Sequence, residues 1–155
     1  MPDFRRIDVT EQPYVYVERT CAMEPATISE EMGKAYGDAM AFIQANGLTL
    51  TGPALSVYYT YDPQTVTFRA GFFVSTEDAK KASGDVKADT TPAGRVVNFV
   101  HTGPYSKLSE SYQELMAWLE KEGLTLGAPT WEVYVNDPDS TPEEELRTEI
   151  YVSLA

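Results

Sequence analysis

One pattern occurs twice in this chain, and it limits the folds available to it. The first copy is "YGDAMAFIQANGLTLTGPALSVYYTYDP" and the second is "YQELMAWLEKEGLTLGAPTWEVYVNDP". Tyr36 falls on Tyr112, Met40 on Met116, Phe42 on Trp118, Pro53 on Pro129, and Val57-Tyr58 on Val133-Tyr134. Gly47-Leu48-Thr49-Leu50 falls on Gly123-Leu124-Thr125-Leu126. Self-similarity of this length and order means one supersecondary unit used twice.

Each copy reads the same way locally. Tyr36, Met40 and Ile43 recur at helical spacing, as do Tyr112, Leu115 and Leu119. Gly47 and Gly123 stand where a left-handed helix cap is needed, and Ser106 is the expected N-cap of the second helix. Two strands follow each helix, about 54–61 and 65–75, then about 130–136 and 145–154. Asp62-Pro63 and Asp137-Pro138 turn between them. "YVYVERT" and "RVVNFVHT" supply a strand before each helix. The unit is therefore β-α-β-β, and the fold class is α+β, with helices on one face of antiparallel sheet. Residues 1–155 form a single domain: repeat 1 over about 10–75, a polar linker with a short helical piece over about 76–93, and repeat 2 over about 94–155.

Composition sets the functional limits. The 155 residues carry 24 Asp and Glu against 12 Lys and Arg, a formal charge of -12. Such a chain repels a phosphate backbone, so direct binding to nucleic acid is not expected, nor is binding to an anionic membrane. The N-terminus lacks the apolar run of a signal peptide, no stretch approaches a membrane span, and the expected location is the cytoplasm. One cysteine, Cys21, excludes an internal disulfide, and one histidine, His101, excludes a multi-histidine metal site. No glycine-rich phosphate loop is present, so neither a metal nor an organic cofactor is expected.

Side chains alternate between the two faces of a strand. The helix-covered face is assigned Val15, Val17, Val57, Phe68, Phe72 and Val74 in the first half, and Trp131, Val133, Ile150 and Val152 in the second. The opposite face then holds Tyr14, Tyr16, Tyr58 and Phe73, together with Glu132, Tyr134, Glu149 and Tyr151, and with Asn98 if the first strands correspond. Tyrosine walls with carboxylates among them suit flat cationic molecules, although ordinary packing, with Glu149 paired to Arg147 or Arg69, is the plainer reading of the same residues. Aligning "RAGFFV" on "RTEIYV" places Gly71 at the position of Glu149. The carboxylate is present in one half only, which suggests a single site off the axis.

The run from His101 to Leu154 resembles the GyrI-like small-molecule-binding family, which includes effector domains of AraC-type and MerR-type multidrug regulators. The matching residues are His101-Thr102-Gly103-Pro104-Tyr105, Tyr112, Pro129, Glu132-Val133-Tyr134, Asn136-Asp137-Pro138 and Thr148-Glu149-Ile150-Tyr151-Val152. The resemblance implies two β-α-β-β units around a central cleft, with Glu149 as the acidic residue facing cationic or aromatic ligands and Tyr151, Glu132 and Tyr134 as further cleft residues. Tyr105 is expected either at the cleft rim or in ordinary packing. The helix-turn-helix of the family's regulators has no counterpart here, so a stand-alone module is expected.

Three functions follow from this reading. The first is a binding module for hydrophobic or cationic aromatic small molecules, with ligand contacts from Glu149, Tyr151, Glu132, Tyr134, Tyr58, Phe73, Tyr16, Asn98 and Tyr105. The second is an enzyme, similar to family hydrolases that open cyclopropanoid electrophiles, with Glu149 as the catalytic base activating water. The third is an acidic module that binds and inhibits a protein partner through surfaces such as "DPDSTPEEE".

Overall fold

The computed structural model describes residues 3–61, 64–136 and 140–155. Its elements in chain order are β1 (Arg5–Val9), β2 (Pro13–Ala22), α1 (Pro25–Asn46), β3 (Leu50–Tyr61), β4 (Thr65–Val74), α2 (Thr76–Ala79), β5 (Lys87–Thr90), β6 (Gly94–Thr102), α3 (Leu108–Glu122), β7 (Leu126–Tyr134) and β8 (Arg147–Leu154). Short 3-10 turns at Tyr105–Lys107 and Glu143–Glu145 precede α3 and β8. The expected turns at Asp62-Pro63 and Asp137-Pro138 lie outside the described residues. No helix among the described residues is long and apolar enough to cross a membrane.

The helices form for reasons visible in the chain. Pro25 opens α1, where its missing N–H costs nothing. Gly47 and Gly123 close α1 and α3 in the left-handed region, at φ 65° and 69°. Each helix buries one stripe at i, i+4, i+8: Ala35, Ala39 and Ile43 in α1, and Ser111, Leu115 and Leu119 in α3. Ser106 does not cap α3. It lies within the 3-10 turn Tyr105–Lys107, and the α-helix begins after Lys107.

All strands join one antiparallel sheet in the order β1-β6-β8-β7-β3-β4-β2-β5. Repeat 1 supplies β3-β4-β2 and repeat 2 supplies β7-β8-β6, so the halves meet where β3 pairs with β7. At that junction Ser56 pairs with Glu132, its own counterpart in the repeat, flanked by Leu55↔Val133 and Val57↔Trp131. A pseudo-twofold axis therefore passes between Ser56 and Glu132. Two strands lie outside the doubled unit: β1 adds to β6, and β5, within the segment expected to be a linker, adds to β2.

Chain connectivity forces this sheet to curl. β1 and β2 stand six strand positions apart in the sheet order, roughly 29 Å in a flat sheet at about 4.8 Å per strand. Only residues 10–12 separate Val9 from Pro13, and that connection reaches at most about 15 Å. The β5–β6 connection has the same problem and the same length. Where the two connections meet, Thr91 N–H donates to the Gln12 carbonyl at 2.9 Å and Gln12 N–H donates to Thr91 Oγ1 at 3.0 Å. The curled interior is filled by Tyr14, Tyr16, Leu55, Val57, Val96, Trp131 and Val133.

The outer face carries two separate cores. One lies under α1 around Val15, Val17, Phe72 and Val74; the other lies under α3 around Val97, Phe99, Ile150 and Val152. Helix α1 packs on β2 and β4, and the second core is built from β6, β8 and α3. The central strands β3 and β7 thus run under the gap between the helices, and this reverses their expected faces. Val57, Trp131 and Val133 point into the curled interior with Tyr14 and Tyr16, whereas Tyr58, Glu132 and Tyr134 point outward, to the helix side.

Gly71 shows how tightly the interior is filled. A Cβ there would stand 2.5 Å from the Val15 carbonyl oxygen and 3.1 Å from Tyr16 Cβ. Gly33, within α1, has nothing within 4 Å of its would-be Cβ. Gly71→Ala is therefore expected to lose about 1–3 kcal/mol to overpacking, and Gly33→Ala to gain roughly 0.5–1 kcal/mol from helix propensity. Urea melts of the two variants check both signs.

Candidate functional site

The central strands place three repeat-related pairs along the axis on the helix side: Ser56 with Glu132, Tyr58 with Tyr134, and Tyr36 of α1 with Tyr112 of α3. These side chains form one hydrogen-bonded group. Tyr112 donates to Glu132 Oε2 at 2.5 Å and Tyr134 donates to Glu132 Oε1 at 2.8 Å. Ser56 Oγ lies 2.6 Å from the Tyr134 hydroxyl and 3.4 Å from that of Tyr58. Tyr36 reaches from α1 to donate to the Leu55 carbonyl at 2.6 Å. Tyr105 packs its ring on Tyr134 at 5.5 Å between centroids.

His101 fixes the turn that carries Tyr105. Its Nδ1 lies 2.7 Å from Ser111 Oγ and its Nε2 lies 3.1 Å from the Pro104 carbonyl. A carbonyl only accepts, so Nε2 carries the proton and Nδ1 accepts from Ser111. The histidine is buried and its role here is positional.

Glu132 is 5% exposed and has no salt-bridge partner among the described residues. Burial pushes its carboxyl above the ordinary value of 4.5, and the hydroxyls of Tyr112 and Tyr134 oppose that shift by donating to the ionised form. Burial also raises the phenols of Tyr36, Tyr58 and Tyr134, which stay protonated and available as donors. The strip of sheet between α1 and α3 thus carries tyrosine hydroxyls gathered around the buried Glu132 carboxyl.

The remaining expected site residues lie on the other face. Tyr151 donates to Glu149 Oε2 at 2.6 Å and stacks on Trp131, with centroids 5.1 Å apart and planes 8° from parallel. Phe73 packs with this interior group, so Glu149, Tyr151 and Phe73 are separated from Glu132, Tyr134, Tyr58 and Tyr105 by the sheet itself. The two carboxylates expected to share one cleft do not share a face. Each faces its own side because Glu132 pairs with Ile150 and Glu149 pairs with Val133. Tyr16 is buried beneath Arg69, whose guanidinium sits 4.3 Å from its ring and 4.5 Å from that of Tyr59. Arg69 pairs with Glu18 and Asp89, not with Glu149. Asn98 is buried and donates to the Ile150 carbonyl at 3.2 Å. The sequence reading missed Ser56, Tyr36 and Tyr112 as groove residues; the signal was their coincidence with Glu132 and with each other in the repeat. Among the described residues no cluster of His, Cys, Asp or Glu is arranged to hold a metal.

The raised carboxyl of Glu132 makes a signed prediction. A group whose folded value lies above its unfolded value stabilises the fold below the unfolded value and loses that contribution as pH rises through the folded one. Glu132→Gln cannot ionise. The melting temperature of the variant relative to wild type is expected to increase as pH rises from about 4.5 to 8; a difference independent of pH would show that Glu132 titrates normally.

The fold has close counterparts. The EcmrR C-terminal domain superposes with a TM-score of 0.82 at 22% identity, covering 100% of this chain and 98% of that one. In the EcmrR–DNA complex this chain spans 57% of the full EcmrR chain, at a TM-score of 0.83. SAV2435 bound to tetraphenylphosphonium matches at a TM-score of 0.67 and 13% identity, over 99% of this chain and 94% of that one. A hydrolase from Listeria innocua matches at 0.61 and 19% identity, over 98% and 91%. No curated protein matches the sequence significantly. The family model for the GyrI-like small molecule binding domain matches residues 2–155, and the chain belongs to that family.

Proposed function

We propose that the groove between α1 and α3 binds hydrophobic cations, with Glu132 as the counter-charge. The observation that carries this is the buried Glu132 carboxyl without an ion-pair partner among the described residues, ringed by tyrosines on the axis. A carboxylate in such a place is costly alone and is relieved by an incoming cation. The surrounding rings supply stacking area and cation–π attraction of roughly 0.5–2 kcal/mol each. Their hydroxyls keep the acid oriented while leaving the ligand's shape loosely specified, so selectivity by charge exceeds selectivity by form. Binding of tetraphenylphosphonium by a fold neighbour agrees with this chemistry.

The role assigned earlier to Glu149 passes to Glu132 in this reading. A second reading, turnover of an electrophile in the same groove, is favoured by one feature: Tyr112 and Tyr134 set two proton donors directly on an acid whose affinity for protons is already raised. Glu132 would then be the base activating water, and Glu149, across the sheet, would have no part in it. The fold neighbour described as a hydrolase fits this alternative.

Isothermal titration with tetraphenylphosphonium tests the binding reading. Glu132→Gln is expected to weaken it at least tenfold, about 1.4 kcal/mol, while the neutral analogue triphenylphosphine oxide loses far less. Because a bound cation favours the ionised acid and burial holds the free carboxyl above its ordinary value, binding at a pH just above that ordinary value should release a proton, visible as a dependence of the heat on buffer. Equal loss for both ligands would mean that Glu132 shapes the groove and does not act as a counter-charge. Mass analysis of a reactive electrophile after incubation separates binding from turnover.

A further inference from the structure

We propose that the open end of the curled sheet is a second ligand site, on the opposite face from the groove, that takes a planar aromatic cation. A cavity of about 380 Å³ opens there, within the size range of small-molecule sites. Phe73, Trp131 and Val133 form its apolar wall, Tyr151 extends that wall, and Asp8 stands at its rim. Glu149 stands one residue pair behind the lining, accepting from the Tyr151 hydroxyl at 2.6 Å and paired with Val133 across the ladder, so it acts on the cavity through Tyr151. It is half-buried and makes no salt bridge among the described residues.

The other end of the same interior shows what such an arrangement holds. There the flat guanidinium of Arg69 lies over the rings of Tyr16 and Tyr59, with Glu18 and Asp89 as counter-charges. Aromatic faces and carboxylates recur at the open end in the Trp131–Tyr151 stack with Glu149 and Asp8, but Asp8 engages Arg95 in an exposed pair and Glu149 has no cation among the described residues. A planar cation of two or three fused rings would lie against the apolar wall and present its charge to the Tyr151–Glu149 pair. The two sites are separated by the thickness of β7, where Trp131 and Val133 face one and Glu132 faces the other.

Proflavine, a planar tricyclic cation, is the probe, followed through the two indole N–H signals by nitrogen–proton NMR. The Trp131 signal is expected to shift saturably while that of Trp118, in the core under α3, stays in place. The shift should persist in Glu132→Gln, weaken about tenfold in Glu149→Gln, and disappear in Thr10→Phe, which plugs the cavity mouth from an exposed loop position. Both acid variants are checked for an unchanged amide spectrum. No shift of Trp131 at millimolar proflavine would overturn the proposal. So would a shift abolished by Glu132→Gln and untouched by Glu149→Gln and Thr10→Phe, since that result places the dye in the groove. The outcome does not depend on whether the groove binds tetraphenylphosphonium.

Discussion

The pairing of β3 with β7 is the constraint on which the rest of the structure depends. It joins the two halves edge to edge and puts Ser56 directly opposite Glu132. Because each helix lies over its own half, the joint is the one strip of sheet covered by neither. In place of a helix, the side chains of Tyr36, Tyr112 and Tyr105 reach over it, and beneath them the outward residues Ser56, Tyr58, Glu132 and Tyr134 bond to one another and to Tyr112, with Ser56 and Glu132 buried. The strip's inward residues, Leu55, Val57, Trp131 and Val133, are correspondingly apolar and buried. The tyrosine-ringed acid sits where two lidded units are joined by strands that lack a helical lid.

Much of the architecture was legible because it rests on local chemistry. The doubled pattern gave the β-α-β-β unit, the two glycine caps and the antiparallel class. What escaped was everything set by long-range geometry. β1 and β5 are short edge strands in polar sequence, and only their partners β6 and β2 make them strands. The faces of β3 and β7 were inverted because apolar residues were assigned to the helix side. That rule holds for β2, β4, β6 and β8, which have helices above them, and fails for the two strands at the joint. There the covered face is the inside of the curl, and the curl follows from two short connections that periodicity does not reveal.

The same inversion explains why the candidate site residues fall on two faces of the sheet. Glu132, Tyr134, Tyr58 and Tyr105 do converge, and the resemblance had already singled out Glu132 with Tyr134. Glu149, Tyr151 and Phe73 converge as well, but across the sheet. Tyr16, expected as a wall for an incoming cation, already has one in Arg69. Tyr36 and Tyr112 were read as helix-stripe residues, yet their ring hydroxyls reach past the helical core to the Leu55 carbonyl and to Glu132.

Asymmetry between the halves now has a physical cause in each place. Gly71 stands where the repeat would put a second Glu149, and the Val15 carbonyl with Tyr14 and Tyr16 leaves no room for a side chain there. Ser56 stands where the repeat would put a second Glu132, and here the reason is electrostatic. Residues on a twofold axis are their own neighbours. A glutamate at both positions would set two carboxyls side by side in a buried pair, where like charges directly opposite are destabilising and two acids so placed cannot both ionise. A single acid at the axis avoids that coupling, and a small neutral residue at the other position leaves it room. Ser56 is such a residue and also bonds the hydroxyl of Tyr134, one of the two phenols that hold Glu132 in place.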